Sequence, residues 1–354
     1  MKNSTFAEKI KQTMYSFKND YSEGAHPAIL KALLETNLSQ QEGYCEDEYA
    51  LETAKMLRTH LESSDADIHF ISGGTQANLV VISSILRPHE SVIAPITGHI
   101  YVHETGAIEA TGHRISTIDT NDGKLTPGDV EKVLLAHTDE HMVKPKMVFI
   151  SNTTEVGTIY TRNELIALKE YCSANDLFLY LDGARLGSAL CAKNNDVTLP
   201  DLAKYTDAFY IGGTKNGALL GEAIVINNDL LKKEFRFFLK QRGALLAKGR
   251  IMALQFRELF KNDIYFENAR HANSMAQKMS KAIAESGFSF LTQSTTNQIF
   301  PILPNTLIEE LNKNFGFYIW SKTDDHNSVI RLVTSWATPE GEVDKFIDIL
   351  RKDI

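Results

Sequence analysis

The sequence predicts an α/β fold: a mostly parallel sheet sandwiched by helices, followed by a smaller C-terminal α+β domain. Three observations predict it. From residue 67 onward, short apolar runs that stop at glycine or polar residues alternate with helical periods, the pattern of parallel strands joined by crossover helices. Two runs, Ala208-Phe-Tyr-Ile-Gly212 and Glu222-Ala-Ile-Val-Ile226, are joined by only Gly213 to Gly221. That loop is too short for a crossover, so this pair is expected to run antiparallel. After about Phe256 the order changes to long helix, strands, helix, strands and a last helix.

The elements follow in order. Residues 26–37 space Ile29, Leu30, Leu33 and Leu34 as a helix, and Ala50, Leu51, Ala54, Leu57 and Leu61 repeat the pattern. Ile68-His-Phe-Ile-Ser72 predicts a strand, and residues 79–86 a helix that stops near Pro88. Ser91-Val-Ile-Ala94, Lys146-Met-Val-Phe-Ile-Ser151 and Leu177-Phe-Leu-Tyr-Leu-Asp182 predict further strands, with a helix over 163–174. The basic stretch 232–250 reads as a helix with one solvated face, from which Arg242 or Lys248 is a candidate to reach a phosphate. Beyond it come a helix over 263–286, strands over 288–291 and 298–303, a helix over 305–314, strands near Phe317 and over 329–334, and a helix from Pro339. The domain boundary is expected near Phe256, giving residues 1–255 and 256–354.

Composition narrows the function. With 43% hydrophobic and 23% charged residues the chain is neither disordered nor fibrous. A net charge of -8 argues against broad nucleic-acid binding. Cys45, Cys172 and Cys191 lie far apart without a C-x-x-C pair, as expected of reduced thiols in the cytoplasm rather than of a disulfide framework or a zinc site. The first eleven residues lack the apolar segment of a signal peptide, and no apolar run reaches membrane-spanning length. His99 and His103 have helical spacing but lack the third ligand of a metal motif, so no metal is expected.

Three segments are candidates for chemistry. Gly73-Gly-Thr-Gln-Ala-Asn78 ends a strand and opens a helix, presenting free N–H groups and a hydroxyl to an anion. Taken alone it reads sooner as a capped helix start with a glycine turn. Gly212-Gly-Thr-Lys-Asn-Gly217 places a lysine in a glycine-rich turn at a strand end, where it can form a Schiff base with a carbonyl. Asp182-Gly-Ala-Arg185 leaves a carboxylate at the end of a buried strand. A carboxylate beside a pyridine nitrogen and a lysine on an aldehyde are what pyridoxal phosphate (PLP) requires.

Gly74-Thr-Gln-Ala-Asn78, Gly98-His-Ile-Tyr101 with Glu104 and Gly106, Asp182-Gly-Ala-Arg185, Thr214-Lys-Asn-Gly217 and Arg331-Leu-Val-Thr334 together resemble, in order, the motifs of the L-threonine aldolases. These belong to the β-eliminating lyase group of fold type I PLP enzymes, whose large domain is like that of aspartate aminotransferase. The resemblance runs from about residue 17 to the C-terminus. It implies that Lys215 carries the cofactor, that Asp182 partners the pyridine nitrogen, and that the His99 ring lies on the cofactor face. It further implies that Gly74, Thr75, Gln76 and Thr214 help hold the cofactor, and that Asn19, Arg185 and Arg331 serve the substrate carboxylate, Arg185 anchoring the site as well. The activity implied is cleavage of β-hydroxy-α-amino acids of the L-threonine and L-allo-threonine type to glycine and an aldehyde. A homodimer or homotetramer is implied too.

Two departures are visible. Family members carry a histidine in a Thr-His-Asn-Gly segment, whereas this chain has Asn152-Thr-Thr-Glu-Val-Gly157. The usual serine before the early aspartate is Asn19, ahead of Asp20. The first leaves the base for the β-hydroxyl open among His99, His103, Glu155 and an ordered water, with histidine the best match on unperturbed pKa. Transamination, β-elimination and PLP binding with weak catalysis are the alternative readings of the same lysine and aspartate.

Overall fold

The computed structural model describes residues 14–352; the leading segment read for a signal peptide falls outside them. A seven-stranded sheet organises the chain. Its strands are β1 (Asp67–Ile71), β2 (Glu90–Pro95), β3 (Arg114–Ile118), β4 (Lys144–Ser151), β5 (Phe178–Asp182), β6 (Ala208–Gly212) and β7 (Glu222–Ile226). Their spatial order is β1-β7-β6-β5-β4-β2-β3. Every neighbouring pair is parallel except the two made by β7, which runs antiparallel to both β1 and β6. The short Gly213–Gly221 connection thus makes the one antiparallel strand that the sequence predicts.

Alternation along the strands divides the interior into two layers. Val148, Ile150, Leu179, Leu181, Phe209 and Ile211 pack on one face with Leu57, Leu165 and Phe256. Met147, Phe149, Tyr180 and Tyr210 pack on the other with Val80, Val81 and Ile100. This is the period of two expected of strands covered on both sides. Truncating a side chain such as Phe149, which is fully buried, to alanine would cost about 3–5 kcal/mol.

A second, smaller sheet joins Tyr318–Lys322 and Ile302–Pro304 to the two sides of Asn327–Val333, which Gln298–Ile299 also pairs. Its core holds Met275, Met279, Ile283, Ile330, Leu332, Phe346 and also Phe17, brought in by the parallel pairing of Tyr15–Ser16 with Phe315–Gly316.

Several expectations change in detail. The edge strand β3 was not among those read from the sequence. Residues 288–291 make only an isolated bridge, Phe290 to Pro301, and the strand expected over 298–303 is divided at Pro301, which has no N–H to donate. The basic stretch 232–250 is not one helix. It breaks at Glu234 (φ 61°) and Gly243 (φ 68°), leaving Phe235–Gln241 between two turns. Phe256 lies inside the helix Arg250–Phe260, and that helix and Tyr265 belong to the large core, whereas Met275 onward belongs to the small one. We therefore propose that the domains divide within the helix Ile264–Glu285.

Candidate active site

The parallel strands β1, β2, β4, β5 and β6 all end at one edge of the sheet, and the chain leaves each of them into a segment bearing polar groups. β2 leads to His99 and His103, β4 to Glu155, β5 to Asp182 and Arg185, and β6 to Lys215. The small sheet closes the space from outside with Arg331, Tyr318 and Trp320. Between them lies a cavity of about 490 Å3, lined by His99, His103, Glu155, Arg185, Lys215 and Arg331 with Tyr21, Gln298, Tyr318, Ile319 and Trp320.

Asp182 is 4% exposed and fully engaged. Its Oδ1 accepts from the Tyr210 hydroxyl at 2.5 Å and from the Ala184 N–H at 2.9 Å. Its Oδ2 accepts from Asn78 Nδ2 at 3.0 Å. The same Asn78 nitrogen donates to Glu104 Oε1 at 2.8 Å, and the Asn78 carbonyl accepts from the Tyr180 hydroxyl at 2.9 Å. His99 Nδ1 lies 2.8 Å from Glu104 Oε1. The Glu104 carboxylate thereby selects the tautomer with its proton on Nδ1 and leaves Nε2 as an acceptor. A continuous chain of hydrogen bonds fixes His99 relative to Asp182.

Lys215 sits in the turn Thr214–Asn216. Close approach of the β5 and β6 ends makes glycine necessary there: a Cβ on Gly183 would fall 1.8 Å from the Tyr210 carbonyl oxygen, and one on Gly212 2.5 Å from that of Ala184. Burial pushes the Lys215 ammonium pKa down, with help from the Arg185 cation, while Asp20, Asp182 and Glu222 oppose the shift without cancelling it. A lysine biased toward the neutral amine is a nucleophile. The Thr214 hydroxyl is used within the loop, where it accepts from the Gly221 N–H at 3.0 Å.

At the opposite end, the helix Gly74–Ile85 begins after Gly73 with no side-chain cap, so its first N–H groups face outward unpaired by any side chain. Gly74 is held against the Tyr210 hydroxyl, 2.9 Å from where a Cβ would be. Gln76 accepts from Ser72 at 2.6 Å and donates to the Arg242 carbonyl at 3.5 Å, tying this turn to a guanidinium whose buried Nε has no partner.

Arg185 and Asp20 form a two-point pair, Nε to Oδ2 at 2.7 Å and Nη2 to Oδ1 at 2.9 Å, and Asn297 also donates to Asp20 at 2.9 Å. With its fork on Asp20, Arg185 serves as an anchor. Arg331 is freer: it donates to the Lys18 carbonyl at 3.1 Å, while its buried Nε has no partner. Tyr318 and Trp320 flank its guanidinium at 5.5 and 5.4 Å. Asn19 is not brought to the cavity wall. Its Oδ1 accepts from Tyr21 N–H and the Ser22 hydroxyl, and Tyr21 lines the wall instead.

Two wall groups have displaced pKa values in opposite senses. Partial desolvation lowers that of His103, and the proximity of His99, Arg331, Lys215 and Arg185, each of which disfavours a further positive charge there, lowers it further. Burial raises that of Glu155, and the Asp182 charge adds to it. Glu155 Oε1 accepts from His99 N–H at 3.0 Å and Ser151 at 2.8 Å, but its buried Oε2 has no partner. Glu222, unnoticed as a chemical group in the sequence because it opens an apolar strand, is also on this edge and 4% exposed.

The residues fit PLP. Buried polar atoms are normally paired, yet Glu155, Arg331, Arg242 and Gln298 each leave one open, as a polar guest would require. An unpaired helix start suits a phosphate, Asp182 offers a fixed carboxylate for a pyridinium, and Lys215 offers an amine for an aldehyde. Fold and site together define a PLP enzyme of fold type I.

Comparison with known proteins narrows the class. The beta-eliminating lyase family model matches residues 19–305. A Pseudomonas low specificity L-threonine aldolase is 31% identical over 92% of this chain and 94% of its own length. The solved structure of Leishmania major threonine aldolase superposes with a TM-score of 0.94 at 49% identity, covering 96% of this chain and 99% of that one. Thermus thermophilus aspartate aminotransferase shares the fold alone, with a TM-score of 0.72 at 14% identity. The chain belongs to the beta-eliminating lyase family, and it is a PLP-dependent lyase.

Proposed function

We propose that the protein cleaves β-hydroxy-α-amino acids of the L-threonine and L-allo-threonine type to glycine and an aldehyde. The observation that carries this reading is the placing of Asp182 at the end of β5 and Lys215 just past the end of the adjacent β6, beside a cavity lined by Lys215, Arg331 and His103. When bound, PLP supplies an electron sink for the pair left on Cα as the Cα–Cβ bond breaks.

The chain's own residues do the rest. Arg331, at the cavity wall with its Nε unpaired, would take the substrate carboxylate through a charge-assisted pair and so orient the substrate. Asp182, held by Tyr210, Ala184 and Asn78, would offer its fixed carboxyl oxygens to a pyridinium proton. His99, held by Glu104, would pack against the cofactor. His103, kept neutral, accepts the β-hydroxyl proton, and Glu155, biased toward the acid, donates to the oxygen or to a bridging water. Thr75 and Gly74 hold the phosphate through the helix start, with Gln76 and Thr214 bracing the two turns.

Two further parts of the reading concern assembly and location. Leu30, Leu34 and Leu38 are 51%, 79% and 93% exposed on and just after the first helix, which supports a homodimer or homotetramer. Three unpaired cysteines support a cytoplasmic setting, and among the described residues no helix is long and apolar enough to cross a membrane.

Product analysis tests the reaction. Incubation of the PLP-loaded protein with L-threonine is expected to release glycine and acetaldehyde in equal amounts. Formation of 2-oxobutanoate, or net amino transfer to a keto acid, would overturn the aldol reading.

A further inference from the structure

Behind the turn that carries Lys215 stands a carboxyl that the reaction above does not use. Glu222 opens β7, and its register opposite Gly212 on one side and Ile71 on the other puts it on the edge of the sheet that bears the site. The four residues after it, Ala-Ile-Val-Ile, are all buried, and so is Glu222. A carboxyl in a buried strand is costly unless something facing it makes use of it.

One use is structural. Oε2 accepts the Gly213 N–H at 2.8 Å, which pins the carboxyl to the backbone immediately before Thr214 and Lys215. Gly213 is itself confined, since a Cβ there would fall 2.6 Å from the Gly221 carbonyl oxygen and 2.9 Å from the Phe256 ring. A neutral amide would serve that hydrogen bond equally well, so it does not account for a titratable group.

The groups facing Glu222 account for it. Burial raises its pKa; Thr214 and the Gly213 N–H lower it by hydrogen bonding, Lys215 lowers it through charge and Asp182 raises it, leaving the carboxyl pushed up to about 7. Tyr180 from β5, Tyr210 from β6 and Tyr265 from the helix Ile264–Glu285 face it as hydroxyls whose own ionisation it opposes. Lys215 is the one cation acting on it among these groups. The interaction is reciprocal: the Lys215 charge favours the ionised Glu222, and the ionised Glu222 favours the charged Lys215 nitrogen, so the protonation of one biases that of the other.

We propose that Glu222 is a positioning residue that compensates the charge of the Lys215 nitrogen, ionised while that nitrogen is cationic and protonated while it is neutral. The local net charge then stays constant as a substrate amine displaces Lys215 and as Lys215 returns. The proposal rests on the reading that Lys215 carries PLP, but not on which reaction follows.

The experiment is a pH titration of the visible cofactor band of the loaded protein, which reports the proton on the Lys215 nitrogen. Glu222→Gln keeps an oxygen for the Gly213 N–H and removes the charge. It is expected to move the midpoint to lower pH by about one unit, a tenfold loss of proton affinity. Glu222→Asp is expected to move it less. A folded Glu222→Gln protein with an unmoved midpoint would overturn the proposal. Infrared difference spectra of the unsubstituted loaded protein, recorded at one fixed pH before and after an added amino acid displaces Lys215, need no variant: a protonated-carboxyl C=O stretch should grow in as the Lys215 nitrogen becomes a neutral amine and Glu222 takes the proton given up by the incoming ammonium, and its absence would overturn the proposal as well. A shifted midpoint in a protein that releases no glycine from L-threonine would support Glu222 and remove the aldol reading. If PLP gives no band on Lys215, both fall together.

Discussion

Asn78 Nδ2 donates to Asp182 Oδ2 at 3.0 Å, and the same nitrogen reaches Glu104 Oε1 at 2.8 Å. One amide thus spaces two buried carboxylates and sets both the group meant for the pyridine nitrogen and, through Glu104, the ring of His99. Asn78→Ala would leave Asp182, Glu104 and the Tyr180 hydroxyl each short of a partner. A loss of about 1–3 kcal/mol per stranded buried group is expected. Urea unfolding of the PLP-free protein measures it, and weaker PLP retention should accompany it.

The Arg185–Asp20 pair makes a prediction about acid stability. Burial opposes ionisation of Asp20, but the charges of Arg185 and Lys215 and the hydrogen bonds from Arg185 and Asn297 outweigh it and hold its carboxyl below the usual 3.8. A carboxyl lowered in the folded state contributes stability that is present above its unfolded pKa and is lost as pH falls through the folded one. Unfolding midpoints followed from pH 7 downward should therefore drop most steeply below about 4. Asp20→Asn should lose about 3–5 kcal/mol near neutrality, because Arg185 would be left buried without its anion, and should flatten that acid slope.

Removing the free guanidinium should affect binding before chemistry. Arg331→Ala gives up a charge-assisted pair with the substrate carboxylate, about 1.5–3 kcal/mol, or roughly tenfold to 150-fold in KM. Arg331→Lys should recover only part of it, since an ammonium lacks the planar fork that Tyr318 and Trp320 hold between them. Steady-state kinetics with L-threonine separates KM from kcat.

His103 is assigned to take the hydroxyl proton, so activity requires its neutral form. Its pKa is lowered from 6.5 by burial and by the surrounding cations, which places the acid limb of kcat below pH 6.5 and leaves the group active at neutrality. His103→Gln should lower kcat by about 10²–10⁴-fold and abolish that limb. Unchanged kcat in this variant would remove His103 from the role.

Much of this was legible in the chain because parallel strands bury both faces and end at one edge. Apolar runs closing on Asp182, Gly212 and Ser72 marked the sheet and the edge on which the candidate site lies. The small loop after Gly212 gave the antiparallel strand. What escaped has physical reasons. β3 is an edge strand with an exposed start at Arg114, so it lacks a continuous apolar run. The helix expected over 232–250 fails at Glu234 and Gly243, where left-handed backbone overrides an amphipathic pattern. Glu222 reads in the sequence as the start of a strand, and only its register opposite Gly212 brings it behind Lys215. Asn19 sits next to the anchoring Asp20, yet a local turn with Tyr21 and Ser22 uses up its carbonyl.

Borohydride reduction of the PLP-loaded protein, followed by peptide mass mapping, tests the central claim most directly. Reduction fixes the pyridoxyl group on whichever nitrogen holds it. The account predicts a single modified peptide carrying the label on Lys215, and none in Lys215→Ala. A label on another lysine, or full labelling in Lys215→Ala, would contradict it.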